Sequence, residues 1–149
     1  MYENYTHQSL ANKKYRELLG TAIYVFNSNN SFIIENILNN DDYKKYTWHR
    51  LIDLTSGNVA AQAKKSLLRE GLTSENKDLA NKINVLFDKL CEMRNRIIHS
   101  FAITDQYGEQ ILATKEKNGN QFIITTDILM NFIKDNDRLS TLLHKFRGY

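Results

Sequence analysis

The stretch Ser74–Phe101, S-E-N-K-D-L-A-N-K-I-N-V-L-F-D-K-L-C-E-M-R-N-R-I-I-H-S-F, decides the fold. It holds neither Gly nor Pro, so nothing in it forces a break. Thr73 or Ser74 can cap its start, Glu75 suits the positive end of a helix, and Gly71 ends whatever precedes it. Leu79, Ile83, Leu86, Leu90, Met93 and Ile97 recur at alternating steps of four and three, a helical stripe. One helix of this length runs roughly 40 Å at about 1.5 Å per residue.

A second stripe, Ala80, Phe87, Cys91 and Ile98, lies roughly 100° around the same helix. Arg94 falls between the two stripes, inside the apolar arc. Asp88, Glu92, Asn95, Arg96 and His99 take the polar side. An arginine inside an apolar arc is costly unless it is paired or faces a ligand or a partner chain. It can also snorkel past its neighbours to water or meet an internal acid.

The string Arg94-Asn95-Arg96-Ile97-Ile98-His99, late in a long amphipathic helix, resembles the signature of the HEPN superfamily: an Arg, a polar residue often Asn, then a His a few positions on. The likeness is sharp over about Leu86–Phe101 and one of architecture elsewhere. It implies a small helical bundle that dimerises, and in many members a metal-independent endoribonuclease. In others it implies a silent binding module for a partner protein or a nucleotide.

The resemblance assigns catalysis to Arg94, Asn95 and His99, with no cofactor and no metal. RNA cleavage by its own 2′-hydroxyl needs a proton acceptor, a proton donor for the leaving 5′-oxygen, and positive charge for the phosphorane. An imidazole, whose ordinary pKa is roughly 6.5, suits the proton transfers. A guanidinium supplies a fork of donors to phosphate oxygens. His99 as a C-terminal helix cap and Asn95 as a solvated polar residue are the plainer readings. Residues five apart sit about 140° apart on a regular helix, so Arg94 and His99 of one chain do not simply face each other. Either the helix loosens near Ser100, or a second copy completes the site, as the family's two-fold dimers do with two motifs in one cleft. Arg96 is an alternative to Arg94 in the phosphate role. A toxin branch of the family carries a modified Tyr two positions after the His. Phe101 stands there and has no hydroxyl, so control by that route is not expected. A toxin-like or abortive-infection role, with an antitoxin or regulatory protein as partner, remains an implication of the resemblance.

The 149 residues suit one domain spanning 1–149. A hydrophobic share of 42% and a charged share of 25% are those of a folded globular protein. A net charge of +3 permits RNA as a partner without arguing for it. Cys91 is the one cysteine, which excludes an internal disulfide, and its apolar stripe reads as a buried thiol. No apolar run is long enough for a bilayer and Met1–Asn4 lacks a signal pattern, so a cytoplasmic location without membrane contact is expected.

The fold expected is mainly α: a helical bundle with a small C-terminal β-hairpin and a closing helix. A first helix is expected over Thr6–Phe26, a break at Asn27–Ser31, and a short helix over Phe32–Leu38. Tyr43–Leu54 is read as a helix whose Lys44 and Lys45, interleaved with aromatics, are candidate RNA contacts; Tyr43, Trp48, Leu51 and Ile52 can more simply be packing residues. Val59–Glu70 follows, with Ala60, Ala63 and Leu67 inward. Asn118-Gly119 between Gln110–Lys117 and Gln121–Thr125 is a hairpin turn. The closing helix runs through about Phe146, with Ile128, Phe132, Leu139, Leu142 and Phe146 inward. Ser74 to about Ser100 is expected to be the longest helix. His7, His49 and His144 are scattered. No phosphate-binding glycine loop, zinc spacing or calcium loop is present.

Overall fold

The computed structural model describes residues 3–41, 44–68 and 71–148. Among them are five helices and a three-stranded antiparallel sheet, so the protein is mainly helical. The helices are α1 (Lys13–Asn39), α2 (Trp48–Ile52), α3 (Ser56–Leu67), α4 (Ser74–Ile98) and α5 (Thr126–Arg147). Strands β1 (Phe101–Thr104), β2 (Gln110–Lys115) and β3 (Gln121–Ile124) lie in that order across the sheet. Among the described residues, no helix is long and apolar enough to cross a membrane.

Side-chain caps start the helices. Asn12 Oδ1 accepts the Tyr15 N–H at 2.8 Å, and Thr55, Thr73 and Thr125 cap α3, α4 and α5 in the same way. Gly148, at φ 92°, ends α5 in the left-handed conformation that glycine adopts freely.

The expected break at Asn27–Ser31 does not occur. Helix α1 runs unbroken for 27 residues, two more than α4, and so is the longest. Asn and Ser each cost only about 0.5 kcal/mol of helix propensity, too little to interrupt a buried stripe. That stripe is Tyr15, Leu18, Ala22, Phe26, Asn29, Ile33 and Ile37, with Asn29 as its polar member. Asn29 Nδ2 donates to Asn136 O at 2.8 Å and to Asn136 Oδ1 at 2.9 Å. The pair locks the register of α1 against α5 and removes the cost of burying an amide. The start also shifts, from Thr6 to Lys13.

Helix α2 is shorter than the expected Tyr43–Leu54. Lys44 takes a positive φ of 51°, Tyr46 N–H donates to Asp41 Oδ2 at 2.7 Å, and Thr47 caps a new start. Of its expected packing residues, Leu51 is buried while Trp48 and Ile52 are exposed, and Tyr43 lies outside the described residues. Helix α3 begins three residues earlier than expected, and the expected end at Arg69–Glu70 also lies outside the described residues. Ala60, Ala63 and Leu67 are buried as expected.

The hairpin at Asn118-Gly119 is present, with Gly119 at φ 94°. Strand β1 was not expected. Its four residues are too few to show a period, but Phe101, Ile103 and Thr104 are β-formers. Asp105 Oδ1 closes the following turn by accepting the N–H groups of Tyr107 and Glu109.

One buried cluster runs through all five helices and β3. At its centre Phe26 of α1 stacks on Phe87 of α4 at 6.0 Å and on Phe132 of α5 at 6.1 Å. In α5 the buried face is Leu129, Phe132, Asn136, Leu139 and Leu143, while Ile128, Leu142 and Phe146 flank it half-buried. Hydrogen bonds tie the sheet to α1 and α4. Tyr15 Oη donates to Ile124 O at 2.7 Å and accepts the Leu112 N–H at 3.2 Å; Thr114 Oγ1 donates to Arg96 O at 2.8 Å.

Candidate functional site

The last two turns of α4 hold the motif, and the chain passes from them straight into β1. Arg94 is half-buried, as its place in the apolar arc requires. No acid meets it among the described residues. Its guanidinium carbon lies 5.9 Å from the centre of the Phe26 ring, a cation–π distance, and Nη1 donates to Asn95 Oδ1 at 3.4 Å. The apolar arc therefore accommodates the charge against an aromatic face, with one edge of the guanidinium turned toward Asn95.

Asn95 is the link between the other two residues. Its side-chain oxygen accepts from Arg94, and its backbone oxygen accepts the His99 N–H at 3.0 Å. His99 is the C-cap of α4, at φ −94° and ψ 20°, so the helix has already loosened at this residue. Ser100 Oγ closes the end by donating to Ile97 O at 2.6 Å. The His99 ring is exposed and has no hydrogen-bond partner among the described residues. Capping occupies its backbone and leaves the imidazole available.

Arg96 is held differently. Its Nη1 donates to Lys115 O, and Nε sits 3.4 Å from Glu92 Oε1, an ion-pair distance without hydrogen-bond geometry. With its side chain only 15% exposed, it fastens α4 to β2. That weakens its candidacy as a free phosphate ligand beside Arg94. Lys44 and Lys45 are exposed in the segment leading to α2, which packs on α1.

A groove of about 680 Å³ opens between α4, α5 and the β2–β3 hairpin. Leu90, Met93, Phe122, Ile128 and Phe132 give it an apolar floor, and Lys89, Arg96 and Lys117 supply cations at its rim beside Glu92, Glu116 and Asp135. Arg94, Asn95, His99, Lys44 and Lys45 do not line it. The structure thus joins the Arg94 and Asn95 side chains by a hydrogen bond and holds His99 by its backbone at the helix end, and sets all three apart from this groove.

Cys91 lies one turn before Arg94, buried, with Sγ donating to Ser56 O at 3.5 Å. Burial, with Asp88 adding to it, pushes the thiol up to about 12. A thiol that stays protonated is a poor nucleophile. In the unfolded chain the thiol ionises at its ordinary value, so folding must take up a proton once pH exceeds that value. The stability it contributes is complete below the ordinary thiol pKa and is lost as pH rises toward 12. Urea titrations of wild type and Cys91→Ala are expected to converge as pH rises above 9.0 toward 12, the range set by that shift; parallel curves would contradict the buried thiol.

The Phe26 partner of Arg94 was beyond sequence reading, since the stripe on α1 does not say which part of α4 it meets. No protein-family model, no curated protein and no solved structure matches this chain.

Proposed function

We propose that this chain is a HEPN-like, metal-independent endoribonuclease whose site is completed by a second copy. The single observation that carries this reading is the exposed His99 imidazole at the end of α4, with no hydrogen bond among the described residues, one turn beyond a cation that is seated on an aromatic ring and turned toward Asn95. In this reading Arg94 binds the scissile phosphate with the donors not turned to Asn95. His99 exchanges protons with the 2′-hydroxyl or the leaving 5′-oxygen, and Asn95 holds the two in register. The 2′-oxygen bonds to phosphorus, the bond from phosphorus to the 5′-oxygen breaks, and the products carry a 2′,3′-cyclic phosphate and a 5′-hydroxyl. The nucleophile belongs to the RNA, so the scheme needs no metal. A toxin-like or abortive-infection role in the cytoplasm, held in check by a regulatory protein, fits such an activity.

The second reading is a silent binding module for a protein or nucleotide. It is favoured by the apolar-floored groove, which is not lined by Arg94, Asn95 or His99 and has the volume of a ligand site. Purified protein incubated with mixed RNA in chelator separates the two. Fragments ending in cyclic phosphate are expected; intact RNA at every protein concentration would leave the binding module.

A further inference from the structure

Strand β1 begins with an exposed aromatic ring beside the motif. Phe101 follows His99 by two residues and is 43% exposed. It stays off the helical core, and so do Ala113 and Ile123, which share its row across the sheet. Ala113 is only 6% exposed, so the row presents Phe101 and Ile123. The opposite face is the packed one: Thr114 and Ile124 are fully buried, and Thr114 Oγ1 donates to Arg96 O of α4.

Side chains alternate along a strand, so Lys115 lies on the outer face one row nearer α4. Its backbone oxygen accepts from Arg96, three residues before His99, which fixes it at the His99 end of the sheet. Its cross-strand neighbour is Gln121, an amide and not an acid. Lys115 is exposed, and no acid pairs with it among the described residues. The two rows are about 7 Å apart, at ~3.4 Å per residue, so one nucleotide can reach from the ring to the ammonium. Toward the other end the face turns acidic, with Asp105 and Glu109 at the β1–β2 turn. A polyanion is therefore favoured at the His99 end and repelled at the far one.

We propose that the His99 end of this outer face is a platform for unpaired RNA. The base of a nucleotide beside the scissile phosphate stacks on Phe101, and a neighbouring phosphate meets Lys115. The identity of the occupant rests on the ribonuclease reading; its place rests on the sheet. A protein partner would use the apolar row equally well with leucine at position 101, whereas a base needs a π-face. A duplex keeps its bases stacked inside, so the platform selects single strands. Every base has a π-face, so Phe101 sets the position of the strand and not its sequence. Phe101 and Lys115 bring a phosphate to His99 and take no part in proton transfer.

Fluorescence anisotropy of the full chain with a short, unstructured 2′-O-methyl RNA tests this, since that RNA keeps its bases and phosphates but has no nucleophile. Phe101→Ala and Phe101→Leu are each expected to weaken binding at least about fivefold, the lower end for losing a base–aromatic stack, and Phe101→Trp to retain it. Lys115→Gln should lower the slope of log affinity against log salt by about 0.7, the loss of one phosphate contact on a single strand. Phe101→Leu should leave that slope unchanged. Phe101 and Lys115 are exposed, so all variants should keep the helical spectrum. The same RNA annealed to its complement should bind more weakly. No binding by wild type, equal binding by Phe101→Leu, an unchanged salt slope in Lys115→Gln, or a preference for the duplex would overturn the proposal. Phe101-dependent binding without cleavage of ordinary RNA would leave the platform and remove the ribonuclease. Cleavage by Phe101→Leu at the wild-type kcat/KM would leave the ribonuclease and remove the platform.

Discussion

His99→Ala is expected to slow RNA cleavage by at least about 100-fold, the scale for losing a general acid or base. His99 is exposed and its ring makes no hydrogen bond among the described residues, so the variant should keep its helical spectrum and its stability to within about 0.5 kcal/mol. That separation makes the result informative, since a fall in rate is then not a fall in folded protein. Arg94→Lys should also be impaired, because an ammonium keeps the charge but lacks the planar fork. Arg96→Ala should cost less in rate and more in stability, because Arg96 bonds Lys115 O and pairs with Glu92. If Arg96→Ala slows cleavage more than Arg94→Ala, the two arginines have exchanged roles. Undiminished cleavage by a well-folded His99→Ala protein would falsify the mechanism.

What sequence made legible follows the range of the interactions that decide each feature. Helix α4 was readable because its cap, its stripes and its lack of Gly are all local, and Thr73 does cap Asn76 N–H. The turn at Asn118-Gly119 was readable for the same reason. Helix α1 was misjudged because Asn29 looks like a breaker until Asn136, 107 residues away, is set against it. Strand β1 escaped because four residues are too few to show a period, and the turn to β2 that Asp105 closes lacks the Asn-Gly signal of the second hairpin. For the candidate site, sequence identified the anomaly of Arg94 but not its resolution. A cation in an apolar arc calls for some partner, and only the packing of α1 on α4 makes that partner the ring of Phe26.

That ring supports the second large effect. Phe26 is 1% exposed and stacks on Phe87 and Phe132, so Phe26→Ala removes the contact that joins α1, α4 and α5. A loss of about 3–5 kcal/mol in chemical denaturation is expected, the range for truncating a buried phenylalanine. A loss under about 1 kcal/mol, the scale of an ordinary substitution, would show that the three helices do not meet at this residue. Phe26→Leu divides packing from positioning. Leucine keeps an apolar side chain in the cluster but offers Arg94 no aromatic face, so the cation–π contribution, about 0.5–2 kcal/mol, is lost with a smaller cavity. If the ring seats Arg94 for the phosphate, Phe26→Leu should fold and still cleave RNA more slowly than wild type, with Arg94→Lys adding little further loss. Full activity in folded Phe26→Leu would mean that Arg94 takes its working position from Asn95 alone.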